Sequence, residues 1–124
     1  MDQSKYLEIM RDALALQKEC SQAMYEALTY TGIENTRAIN FVNGVMRDVS
    51  SGKHVDELLP VYFRISDDLL EHLIGFNESD QMIKVSTRVT LYSAIYAFVT
   101  SAETANASYT GAVLLMIKAK GEGD

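Results

Sequence analysis

Asp67, Asp68, Glu71 and His72 form the densest group of reactive side chains in this sequence. Residues four apart on a helix share a face, so Asp68 and His72 could supply half of a metal site. A dimetal carboxylate centre in a helical bundle needs Glu-x-x-His turns on two helices. The residues three before His54 and His72 are Ser51 and Leu69, so both turns are missing. Asp67 with Glu71, and Glu8 with Asp12, are same-face acidic pairs. Such pairs can do acid–base work when burial separates their pKa values, but neither lies inside an apolar run. The expected reading is a solvated helix face, with no metal.

Other chemistry is equally sparse. The sequence lacks Gly-x-Ser-x-Gly, a phosphate-binding loop and a dinucleotide fingerprint. Cys20 is the only cysteine, so neither a disulfide nor a zinc ribbon can form within one chain. Its helical neighbours Leu16 and Met24 mark it as a core residue. His54 follows Gly52 and Lys53 and reads as an exposed loop residue. No catalytic residue, cofactor or metal is expected. One polar group has another use. Arg37, Asn40, Asn43 and Arg47 recur along one segment at a spacing near that of a groove-reading helix. They are the best candidates for contact with nucleic acid, although a net charge of -6 repels phosphate.

The elements that carry these groups read as helices. Tyr6, Ile9, Met10, Ala13, Leu16, Cys20, Met24, Ala27 and Leu28 recur at spacings of three and four, predicting a helix over 4–30 that Gly32 stops. Asn35 is placed to cap a second helix over 36–51, with Ile39, Val42, Val45, Met46 and Val49 as its stripe. Asp56 is placed to cap a third, running to about Ile74, with Pro60 tolerated near its start. Ser79 or Asn77 is placed to cap a fourth. Its many β-branched residues would also suit strands, but strict alternation is not sustained, so a helix is expected. Alanines favour one helix over about 80–119, whereas Asn106, Ser108 and Gly111 favour a break into two. The predicted fold is all-α, a four- or five-helix bundle. Residues 1–120 make one domain and 121–124 a frayed tail.

Residues 89–117 contain a single formal charge, Glu103. A stretch so poor in charge must be covered, by the chain's own helices or by a second subunit. Tyr92, Ile95, Tyr96, Val99, Tyr109 and Val113 are the candidate interface residues, because tyrosines and apolar groups dominate interface cores. The sequence therefore predicts a non-catalytic structural or adaptor protein that binds another protein or copies of itself, as a homo-oligomer. A small nucleoprotein subunit using the second helix is the alternative. The lone cysteine, the charged residues near the N-terminus and the lack of a membrane-length apolar run point to a cytoplasmic protein without membrane contact.

Overall fold

The computed structural model describes residues 3–123, which fold into four helices: α1 (Ser4–Thr31), α2 (Asn35–Ser50), α3 (Val55–Glu71) and α4 (Gln81–Gly123). The predicted all-α architecture is present, with one unbroken helix where the sequence left open a pair. Gly32, Gly52 and Gly75 take φ values of 110°, 92° and 82°, a left-handed backbone that reverses the chain without a Cβ clash. The first follows α1 directly and the second follows α2 after Ser51. The third sits within the α3–α4 connection, since α3 ends at Glu71 rather than near Ile74.

The strands considered for the β-branched run do not form, because that run is buried by helical spacing. Leu91, Ile95, Phe98, Val99 and Ala102 are each at most 2% exposed. Gly111 does not break α4. One glycine costs about 1 kcal/mol in a helix, which packing along α1 offsets. Helix continues to Gly123, where the sequence predicted fraying from residue 121; Asp124 lies outside the described residues.

The predicted caps are corrected in three places. Asn35 is the first helical residue of α2 and Glu34 holds the cap position without a side-chain bond. Asp80, not Ser79 or Asn77, caps α4: its Oδ1 accepts the Met82 N–H at 2.8 Å. The cap of α3 comes from another helix. His54 holds the cap position in place of Asp56, and the Val55 N–H donates to Glu103 Oε2 of α4 at 2.9 Å.

Four contacts fix the topology. Glu103 meets Val55 at the start of α3, and Tyr92 meets Asp67 near its end, so α3 and α4 are antiparallel. Tyr62 meets Asp48, so α2 and α3 are antiparallel as well. Gly32 lies against Leu73, which brings the end of α1 to the α3–α4 connection and makes α1 antiparallel to α4. The result is an up-down-up-down bundle. Met24, Leu28, Val45, Val49, Leu58 and Leu70 meet the α4 residues in its core.

Helix α4 outruns its neighbours. Its 43 residues span about 65 Å at the usual helical rise. The α2–α3 turn lies level with Glu103 and Asn106, whose Nδ2 donates to Val49 O at 3.4 Å. Beyond Asn106, α4 continues for about 25 Å. Helix α1 accompanies it: in the body Leu16, Cys20 and Met24 line a cleft with Ala94, Phe98 and Ser101, and the same antiparallel register carries Ala13 level with Ala105 and, in the arm, Tyr6 level with Ala112, all four buried. The molecule is thus a four-helix body with a two-helix arm.

Replacing Glu103 with Ala removes the α3 cap. Stability measured by urea denaturation should fall by about 1–2 kcal/mol, with helix content by circular dichroism unchanged. Glu103→Gln keeps an acceptor oxygen and should lose less.

Candidate interaction surfaces

Two tyrosine–carboxylate pairs close the seams of the body. Tyr62 of α3 donates its hydroxyl to Asp48 Oδ2 of α2 at 2.7 Å. Its ring stacks edge-on against Phe41, with centroids 5.2 Å apart. Gly44 makes room for it, since a Cβ there would lie 3.0 Å from the hydroxyl oxygen. Burial first, then the bond to Asp48, pushes the Tyr62 hydroxyl well above the ordinary tyrosine range, against a smaller opposing pull from Arg47. Tyr92 of α4 donates to Asp67 of α3 at 2.7 Å, and its ring lies 4.5 Å from that of Phe63. Burial and the carboxylate raise its pKa too. Arg88 Nε stands 3.6 Å from Asp67 Oδ1 and its guanidinium lies over Phe76.

These bonds dispose of the reactive group met first in the sequence. Asp67 is engaged by Tyr92 and Arg88. The His72 Nδ1 is 2.7 Å from the backbone oxygen of Asp68, not from its carboxylate. Among the described residues, no three His, Cys, Asp or Glu side chains gather into a metal-binding group. Cys20 is half-buried, packed against the core rather than inside it as its apolar neighbours suggested; burial raises its thiol pKa, and Sγ contacts Gln17 O at 3.4 Å. Among the described residues, no helix is long and apolar enough to cross a membrane.

The six predicted interface residues divide. Ile95 and Val99 are fully buried inside the body and offer no surface, which corrects their assignment. Tyr92 is half-buried in the α3–α4 seam. Tyr96 is 57% exposed, on a different side of α4. Tyr109 and Val113 are half-buried in the arm. Five of the six nevertheless lie on one row. Tyr92, Ile95, Val99, Ala102, Asn106, Tyr109, Val113 and Ile117 follow spacings of three and four along α4. From Tyr92 to Asn106, α2 and α3 cover this row. Past the α2–α3 turn neither helix reaches it, and Ile117 is 61% exposed with Leu114 beside it at 61%. The same holds on α1. Lys18, Ser21, Gln22 and Tyr25 face Ile39, Val42 and Asn43 of α2. Leu14 and Leu7 continue that side seven residues at a time into the arm, at 52% and 48% exposure.

The predicted nucleic-acid group also divides. Arg37, Asn40 and Arg47 line an open groove of about 310 Å³ between α2 and α3, floored by Phe41, Tyr62, Ile65 and Leu69. Asn43 is turned away toward α1. A neighbouring cleft of about 540 Å³ shares Arg37 and Leu69 and adds Glu34 and His72. Sequence reasoning missed the roles of Glu103, Asn106, Asp48 and Asp67. Only Glu103 was signalled, as the single charge in an uncharged stretch.

Because the folded-state tyrosines titrate above their unfolded value, their contribution to stability is full at neutral pH and is lost as pH rises past about 10, where the unfolded chain ionises first. Urea midpoints should therefore fall above that pH. In Tyr62→Phe the fall should be smaller, while stability at neutral pH drops by about 1–2 kcal/mol. No protein-family model matches this chain, and neither does any curated protein or solved structure among those compared.

Proposed function

We propose that the protein is a non-catalytic structural or adaptor element that works through protein–protein contact, pairing with a second copy through its arm. One observation carries this reading. The face that α2 and α3 cover in the body runs on into the arm, past the reach of either helix. Half-buried Tyr109 and Val113 and exposed Ile117 on α4, with Leu7 on α1, occupy that continuation. Removing such apolar area from water is favourable at roughly 25 cal/mol per Å². What the arm lacks is a pair of helices, and the arm of a second copy supplies a pair. Two arms packed about a two-fold axis would complete a four-helix layer, each using the same surface.

The chemistry near the core agrees with a structural role. Asp48 and Asp67 serve as hydrogen-bond acceptors for seam tyrosines, and Glu103 as a helix cap. Each holds one helix against another.

Light scattering across a dilution series tests the proposal. The expected mass is twice the 13.8 kDa of one chain. Replacing Ile117 with Glu should give the single-chain mass with helix content retained, because its side chain is more than half exposed. Tyr96→Lys, off the row, should leave the mass unchanged. A strict monomer at high protein concentration would remove the self-association reading.

A further inference from the structure

The α2–α3 groove combines features that the arm lacks. Contact between α2 and α3 is the thinnest of any adjacent pair in the bundle. The groove left between them has an apolar floor, on which Ile65 is still 37% exposed. No acidic side chain lines it. Two arginines do, and neither Arg37 nor Arg47 has a carboxylate within ion-pair distance among the described residues. A groove with this charge stands out on a chain of net charge -6.

We propose that this groove docks an acidic amphipathic helix of a partner protein, its apolar face on Phe41, Ile65 and Leu69 and one carboxylate at each arginine. The spacing follows from helix geometry. Arg37 and Arg47 are ten residues apart on α2, about 15 Å along its axis. A helix lying alongside presents that separation on a single face between residues about eleven apart, three full turns. Apolar residues four and seven positions after the first carboxylate fall between them, over the floor. The pattern is acidic-x3-apolar-x2-apolar-x3-acidic, a helix-in-groove mode with charge at both ends. Nucleic acid fits less well. Two arginines so far apart neutralise little backbone charge. An apolar floor gives phosphate nothing to bind.

The test is a nuclear magnetic resonance titration of the whole protein with a synthetic helical peptide of that pattern, with Glu at the acidic and Leu at the apolar positions. Its counterpart with Lys for Glu is the control. The glutamate peptide should shift amides within 37–47 and 62–69, and bind at least about tenfold more tightly than the lysine peptide. Arg37→Glu and Arg47→Glu should each weaken it about tenfold, and added salt should weaken it further. Both arginines are exposed, so the fold should be unaffected. The light-scattering mass of both variants should equal that of the unaltered protein, which separates this site from the arm. Equal binding of the two peptides, no binding of either, or shifts confined to the arm would overturn the proposal. So would a DNA duplex that binds more tightly than the peptide and loses its affinity in the same arginine variants, which would assign the groove to nucleic acid.

Discussion

Two side chains one turn apart on α4 hold the corner of the bundle. Asn106 reaches the last turn of α2 and Glu103 the first turn of α3. Helix ends leave backbone donors and acceptors without intrahelical partners, and burying them unpaired is expensive. Here a single helix answers one end of each neighbour. The carboxylate also sits where the positive end of the α3 dipole favours an anion. Packing of apolar faces alone would let α2 and α3 slide along α4 at small cost. Directional bonds to helix termini do not slide, so this grip sets the level at which the α2–α3 turn lies. Everything beyond that level becomes arm.

The tyrosine–carboxylate pairs extend the same logic to the seams. Each places a hydroxyl at the edge of the core and a carboxylate on the facing helix, at 2.7 Å. A ring fills the seam and the bond fixes its depth. Gly44 belongs to this device, because the Tyr62 hydroxyl occupies the space a side chain would take. Apolar burial holds the body together, and a few polar contacts select one register among the many that burial would allow.

Much of this fold is legible in the sequence. The periodic apolar rows give α1 and α2 to within a residue at each end and α3 with its end three residues too late, and Gly32, Gly52 and Gly75 mark reversals that the backbone uses. Caps were less legible, since α3 is capped from 48 positions away in sequence and no local pattern encodes that. Division of the α4 row into covered and bare halves was not legible either. Ile95 and Ile117 look alike along the chain, and only the level of the α2–α3 turn tells them apart. The arginine group shows how drift limits spacing arguments. Steps of three lag behind a helix of 3.6 residues per turn. Arg37 and Asn40 stay on the groove while Asn43 rotates out of it, and a step of four restores Arg47.

The pairing of α1 with α4 has a kinetic side. It is the most extensive contact in the molecule, yet it joins the first helix to the last. The α2–α3 hairpin can form from neighbouring segments, whereas α1 and α4 must close a loop through most of the chain, with the entropy that entails. Assembly of the hairpin on the N-terminal half of α4 costs less ordering and creates the pocket into which Met24 and Leu28 fit. Within one chain the outer turns of α1 and α4 have only each other to zip against, so until a second copy docks they are the last to close and the first to open. Hydrogen exchange should resolve the molecule into a slow body and a fast-exchanging arm.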